Sequence, residues 1–254
     1  MIKVGLIGFG KTGRIVAGEI IKDEAFTLSW VLRRSEQDEG EYAGQLLGLH
    51  SDQGLISSIQ KIDLGGFLEQ NPVDVIVDFS DYQTINLYHE HLRRHRVALI
   101  SAISNYPEAE LEIIRSLSDE RPVLYSPNIT LGINFLIVIS EVLQKIVPWA
   151  DVEIIEQHFR DKPDVSGTAL KIADILGLDR EKNVNSVRVG GIIGKHEVIF
   201  GLPNQTIRLI HETNNRAAFG QGIIFGMKYV VEKEKGFFNM EQIIKEKFVN
   251  SILN

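Results

Sequence analysis

The sequence predicts an α/β protein: a Rossmann-type, doubly wound parallel sheet, then a smaller α+β domain built on an open mixed sheet. Three observations predict it. Short apolar runs alternate with helical patterns from Lys3 to Tyr125, the order that builds a parallel sheet. A Gly-x-Gly-x-x-Gly run, Gly8 to Gly13, stands between the first strand and the first helix. Beyond residue 150 the strands lengthen and alternate, with Gly190, Gly191, Gly194 and Pro203 between them, as turns between paired strands do.

The first strand is Lys3–Ile7, and Ile15, Val16, Ile20 and Ile21 follow at helical spacing. In the turn between them, Gly8 makes the sharp bend, Gly10 lets a pyrophosphate approach the backbone and Gly13 permits close helix–strand packing, so Gly8, Phe9, Gly10, Lys11, Thr12 and Gly13 are the expected dinucleotide cradle. The second strand, Phe26–Leu32, ends in Arg33-Arg34-Ser35. An NAD site places an acid at this point for the ribose 2′-hydroxyl; two arginines instead suit a 2′-phosphate. That leans toward NADPH over NADH, the alternative being a solvated basic turn beside the acidic run Glu36 to Glu41.

A third strand is expected at Ser58–Ile62 and a short helix at Leu64–Glu69. Val73–Phe79 reads as a buried strand ending in Asp78-Phe79-Ser80, and Tyr82–His95 as an amphipathic helix. That helix carries His89, His91 and His95, and His91 and His95 lie among Arg93, Arg94 and Arg96. Neighbouring positive charge disfavours a divalent cation, so no metal site is assigned. Val97–Ser101, Glu108–Leu117 and Pro122–Tyr125 complete the alternation. The expected boundary lies near residue 127. Residues 1–127, joined by C-terminal helices within 217–254, form the dinucleotide domain; 128–216 form a domain for substrate binding and oligomerisation. In the second domain, four strands near 152–157, 184–189, 196–200 and 205–211 should be covered on one face by helices at 133–146 and 169–176. Subunit association would cover the other face.

Composition narrows the function classes. The chain has 254 residues, 44% hydrophobic and 24% charged, with a net charge of −7 and no cysteine. No long basic run is present, which argues against nucleic acid as a partner. No apolar run approaches the roughly 20 residues that span a bilayer, and the first residues lack signal-peptide organisation. A cytoplasmic setting is the expectation.

The stretch with the most chemistry is Glu156 to Ala169. It holds His158, Lys162 and the Ser166-Gly167-Thr168 turn, after an apolar run and before a helical pattern. A helix N-terminus carries unpaired N–H groups and partial positive charge, which favour an anion. A proton donor beside such a cradle suits chemistry on a small carboxylate. A Ser/Thr helix cap with a surface His and Lys is the plain alternative.

Along nearly its whole length the sequence resembles the 4-hydroxy-tetrahydrodipicolinate (dihydrodipicolinate) reductase family. The resemblance is carried by Gly8–Gly13, Asp78-Phe79-Ser80, Asn128 to Gly132, Glu156 to Ala169, the Gly191…Gly194…His196 turn and Arg216…Phe219…Gly222. It implies NADPH or NADH as hydride donor to a cyclic, unsaturated imine dicarboxylate of the lysine and diaminopimelate pathway, in a homotetramer. By position, it makes His158 the proton donor/acceptor and Lys162 a proton donor. Gly167 and Thr168, with Ser166 and Phe159 beside them, would meet the substrate. Ser101, Ala102 and Ile103, with Ser126, Asn128 and Ile129, would flank the nicotinamide. Four positions depart from the family pattern: Phe159 replaces a second histidine, Val165 stands for Ala-Pro, Ser101-Ala102-Ile103-Ser104 for Gly-Thr-Thr-Gly, and Asn215 for a serine. A related imine or keto-acid reductase with another substrate, or a non-catalytic dinucleotide sensor, are the alternatives.

Overall fold

The computed structural model describes residues 1–253. Its elements are β1 (Ile2–Ile7), α1 (Lys11–Lys22), β2 (Phe26–Arg33), α2 (Ala43–Leu46), β3 (Leu55–Ser58), α3 (Leu64–Gln70), β4 (Val75–Asp78), α4 (Ile85–Arg94), β5 (Ala98–Ser101), α5 (Glu108–Leu117), β6 (Pro122–Tyr125), α6 (Leu131–Ile146), β7 (Asp151–His158), α7 (Gly167–Ile175), β8 (Val184–Arg188), β9 (Lys195–Leu202), β10 (Gln205–Glu212), α8 (Ala217–Val230), β11 (Gly236–Phe238) and α9 (Met240–Leu253).

The chain divides into two units. The first comprises Met1–Thr130 and Ala217–Ile243, and the second Leu131–Arg216 with the segment from Ile244 onward. α9 is therefore shared between them. In the first unit, seven strands lie in the order β11-β6-β5-β4-β1-β2-β3, every pairing parallel. Both faces are covered, so β4 and β5 are buried along their whole length, as a parallel sheet requires. α4 shows how the covering helices are patterned: Ile85, Tyr88 and Leu92 are its buried residues, three positions of one helical stripe. α8 presents Gly220, Gly222 and Gly226 among its buried residues. A Cβ on Gly222 would stand 1.9 Å from the Ile129 carbonyl oxygen, so this helix approaches backbone directly.

Two strand expectations are corrected. The third strand is Leu55–Ser58, not Ser58–Ile62. Its register with β2 runs from Trp30↔Leu55 to Arg33↔Ser58, where β2 ends, so later residues have no partner. Ile59 and Ile62 still pack on the core, from turns. The stretch Gly236–Phe238, for which no strand is expected among the C-terminal helices within 217–254, is an edge strand that pairs with β6.

In the second unit, four strands lie in the order β10-β9-β7-β8. β7 is antiparallel to β9 and parallel to β8, and β9 is antiparallel to β10. α6 and α7 cover one face. Ile133, Leu136 and Ile137 from α6 and Ile172 and Ala173 from α7 pack with Val152, Ile154, Val198 and Phe200 from the strands. The opposite face carries Ile155, Ile199 and Ile210, and Ile210 is exposed. β7 runs to His158, one residue beyond the expected 152–157, so His158 ends a strand. Among the described residues no helix is long and apolar enough to cross a membrane.

Candidate active site

The glycine turn of the first unit is shaped by contacts that a side chain would break. Gly8 has φ +98°, and a Cβ there would meet the backbone of Phe79 and Ser80 at 2.7–2.8 Å; a Cβ on Gly13 would stand 1.9 Å from the Gly8 oxygen. These two glycines are needed by the fold. Gly10 is different: a Cβ would meet nothing within 4 Å. It occupies the N-cap of α1 with no side-chain capping bond, leaving an open helix N-terminus of the kind that binds phosphate. The cradle fits a dinucleotide. Phe9 is 2% exposed and lies under the Arg14 guanidinium, 4.6 Å from its ring, so Phe9 offers a ligand its backbone only. Lys11 is exposed and Thr12 half-buried on the first turn of α1.

A cavity of about 750 Å³ opens from this turn, lined by Gly8, Phe9, Gly10, Arg33, Arg34, Ser35, Ile59, Ser80, Asp81 and Leu87 among others. Both arginines thus face the expected cofactor space, and each already has a carboxylate. Arg33 donates to Asp38 at 2.7 Å, an oxygen shared with Arg14 at 2.5 Å, and Arg34 pairs with Asp81.

The residues assigned beside the nicotinamide lie at the carboxyl ends of β5 and β6, where open α/β sheets bind ligands. Their side chains are largely spoken for. Ser101 Oγ shares a hydrogen bond with the Tyr106 hydroxyl at 2.9 Å, and Ser126 Oγ donates to the Asn128 carbonyl at 2.9 Å. Ile103 is 8% exposed and Ile129 fully buried; Ala102 is half-buried and bonds through its N–H to the Asp78 carbonyl. Asn128 Oδ1 accepts from the Thr130 hydroxyl. Asp78 itself is wholly buried and accepts from Ser80 and, at 2.6 Å, from Tyr88. Burial, against those hydrogen bonds, pushes its carboxyl up to about 6.

In the second unit the strand register brings polar residues to one end of the covered sheet face. Glu156 and His158, two apart on β7, share that face. Glu156 pairs with His196 on β9 and Ser186 on β8, His196 with His211 on β10, and His158 with Arg188. The Glu156 carboxylate is 0% exposed. One oxygen accepts from Arg188 at 2.6 Å, Ser186 Oγ at 2.6 Å and the Ser166 N–H at 3.1 Å; the other accepts from Arg188 at 2.9 Å and meets His158 Nδ1 at 2.5 Å. Burial pushes this carboxyl up, but the hydrogen bonds, led by Arg188, prevail and hold it at about 2. Arg188 also donates to the carbonyls of Lys162 and Asp164, tying the loop after β7 to the sheet. Glu156, Ser186, Arg188 and His196 received no role from sequence reasoning. The resemblance drew attention to Glu156 and His196, and nothing in sequence spacing tells that Arg188 meets a residue 32 positions away.

The loop residues then fall into place. Ser166 is the N-cap of α7 but makes no side-chain capping bond. Its hydroxyl pairs with His196 Nε2 at 2.8 Å. Gly167 opens the helix, and a Cβ there would meet nothing within 4 Å, so α7 presents an uncrowded N-terminus. Thr168 is half-buried in its first turn. Lys162 Nζ rests on the Asp164 carbonyl at 2.8 Å. Phe159, the residue after β7, is 40% exposed. His196 is 5% exposed; burial, then the adjacent His158 and His211, pushes it down to about 4.

Comparison with known proteins agrees with this architecture. A family model described as dihydrodipicolinate reductase, N-terminus, matches residues 2–129, and one described as dihydrodipicolinate reductase, C-terminus, matches 130–244. A 4-hydroxy-tetrahydrodipicolinate reductase of Thermosipho africanus is 31% identical over 212 residues, covering 83% of this chain and 96% of its own. One from Buchnera aphidicola subsp. Schizaphis graminum is 28% identical over 265 positions, covering 94% and 95%. Among solved structures, a dipicolinate-bound dihydrodipicolinate reductase from Paenisporosarcina sp. TG-14 matches with a TM-score of 0.77 at 22% identity, over 96% of this chain and 99% of that one; at that identity the likeness concerns the fold. With family models matching both halves, the chain belongs to the dihydrodipicolinate reductase family.

Proposed function

We infer that this chain is a 4-hydroxy-tetrahydrodipicolinate reductase, an NAD(P)H-dependent oxidoreductase of lysine and diaminopimelate biosynthesis. Its substrate is a small, cyclic, unsaturated imine carrying two carboxylates. The observation that carries the reading is the Glu156 carboxylate, which joins the His158 imidazole and the backbone N–H of Ser166, the N-cap of α7. A proton-bearing ring and an anion-binding helix terminus are thereby held on one support.

The bound nicotinamide dinucleotide supplies hydride. Gly8 to Gly13 hold its pyrophosphate through backbone N–H groups, and Arg33, Arg34 and Ser35 surround the adenosine ribose. The arginines and the lack of an acid at the end of β2 favour NADPH. Gly167 N–H and the Thr168 hydroxyl bind a substrate carboxylate at the N-terminus of α7, where partial positive charge stabilises it. Lys162, on the adjoining loop, adds a mobile cation. His158 delivers the proton that completes the reduction, a role typically worth about 10²–10⁴-fold in rate. Ser166 serves the site through its backbone and its bond to His196 more than by touching substrate. Ile103 and Ile129 act through their backbone, their side chains being core. The second-sheet face with Ile155, Ile199 and Ile210 is the surface we assign to association with further copies of this chain, a tetramer in keeping with the family.

Purified protein should oxidise NADPH when freshly made 4-hydroxy-tetrahydrodipicolinate is added; no oxidation above background overturns the reading. One observation favours a second reading, a related imine or keto-acid reductase. Phe159 stands where a hydrogen-bonding histidine is expected, and a phenyl ring cannot bond a carboxylate or ring nitrogen. Faster turnover of another cyclic imine or keto acid in the same assay would select it. Arg33→Asp should weaken NADPH binding more than NADH binding, by about tenfold or more for a lost charge-assisted phosphate contact; an unchanged ratio of the two affinities removes the 2′-phosphate assignment.

A further inference from the structure

Glu156 has more hydrogen bonds than neutralisation requires. A carboxylate offers about four acceptor sites. Two guanidinium nitrogens of Arg188, the Ser186 hydroxyl and the Ser166 N–H already supply four donors. The His158 ring arrives as a fifth, at 2.5 Å and buried. A carboxylate that accepts from one guanidinium on both oxygens is ionised and can only accept. The proton between it and His158 therefore belongs to Nδ1, and this fixes the ring's tautomer. The opposite nitrogen, Nε2, carries no hydrogen bond among the described residues. Gly194 lies against it: a Cβ there would stand 3.2 Å from Nε2 and 3.6 Å from Cδ2. Gly194 does not take a left-handed conformation, so its backbone does not demand glycine.

We propose that Glu156 and Arg188 are positioning residues for the reduction: they hold the His158 ring with its Nδ1–H on the buried carboxylate, so that Nε2 is the atom that exchanges the proton, and Gly194 is glycine so that Nε2 stays open. This rests on the reading of His158 as proton donor. In the step, the Nε2–H bond of the imidazolium breaks and its proton passes to the substrate atom made electron-rich by hydride addition. The ring remains as the neutral Nδ1–H form on Glu156, and solvent returns the proton to Nε2. Arg188 keeps Glu156 ionised throughout and, through the Lys162 and Asp164 carbonyls, fixes the loop relative to the ring.

The experiment combines ¹⁵N-histidine NMR on the whole enzyme, under conditions where the ring is neutral, with steady-state kinetics using NADPH and 4-hydroxy-tetrahydrodipicolinate. In the wild-type protein His158 should be the Nδ1–H tautomer. Glu156→Gln should move it toward Nε2–H and lower kcat by about tenfold or more, with substrate KM changed less than about threefold. Gly194→Ala should keep the Nδ1–H tautomer yet lower kcat by a similar factor. A wild-type Nε2–H tautomer, or full kcat in either variant, overturns the proposal. Should Glu156→Gln fail to fold, the wild-type tautomer and the Gly194→Ala kinetics decide. His158→Gln separates the two layers: full activity in that variant removes the proton-donor reading itself, whereas lost activity together with an Nε2–H wild-type ring removes only the positioning role.

Discussion

His158 and Lys162 sit four residues apart, but their surroundings differ in kind. The imidazole is anchored in the sheet by a buried anion, whereas the ammonium rests on a carbonyl of its own loop. Loss of either should lower kcat by about two orders of magnitude while NADPH affinity stays within about twofold, measured by fluorescence titration. Loss of cofactor binding in parallel would mean that these residues support structure. His196 predicts a pH effect on stability. Its folded-state pKa, about 4, lies below the ordinary histidine value of 6.5. Between those values the unfolded chain takes up a proton that the folded one refuses. Stability is therefore fully present above about pH 6.5 and falls as pH drops toward 4. Urea midpoints at pH 7.5 and 5 should show the loss, and His196→Asn should flatten the slope. An unchanged slope would mean that other groups govern the acid limb.

The two helices that begin at the assigned binding loops are alike in one respect: neither N-terminus has a side-chain cap. An uncapped helix start leaves N–H donors available to a ligand. At α1 the glycines divide the work, and this can be tested one residue at a time. Gly10→Ala meets open space, so melting temperature should hold while dinucleotide affinity falls about tenfold or more, because the new methyl group enters the phosphate's space. Gly13→Ala drives a methyl group into the Gly8 carbonyl, so both stability and binding should fall. Equal effects of the two substitutions would remove the distinction. The turn was legible in sequence because its requirements are local: three glycines, a strand before and a helix after. β7 was legible only in part. Its inward positions near the end are Glu156 and His158, polar residues that break the apolar alternation. The three-residue β11 gives no periodic signal and exists because β6 offers an open edge.

Each unit has its own hydrophobic core and its own set of assigned residues. Unit 1 holds the glycine turn and the arginine-lined cavity, and unit 2 holds the Glu156–His158–Arg188 cluster and α7. Ligands should therefore protect different segments. In hydrogen-exchange mass spectrometry, NADPH should slow exchange in residues 8–22, and pyridine-2,6-dicarboxylate, a flat analogue of the substrate, in residues 158–175. Ligand at 100 times its Kd adds about 2.7 kcal/mol to global stability. Protection by NADPH confined to unit 2 would overturn the nucleotide assignment. The uncovered sheet face of unit 2 makes a further prediction: sedimentation should give a species of several chains, and Ile210→Lys should shift it toward the monomer. A wild-type monomer would remove the oligomer assignment.

The amino-acid order alone specified the alternation of strands and helices, the glycine turn and the presence of a histidine and a lysine shortly before a helix start. Each of these depends on interactions among residues close in the chain, where periodicity and backbone sterics act. Pairing across the second sheet is another matter. Glu156 meets Ser186 and Arg188 because strand register sets residues 30 or more apart side by side, and His196 meets Ser166 where α7 begins. Which nitrogen of His158 is tied down, and which is left free, follows from that register and from the low dielectric of the buried face, where an unpaired charge is too costly to persist.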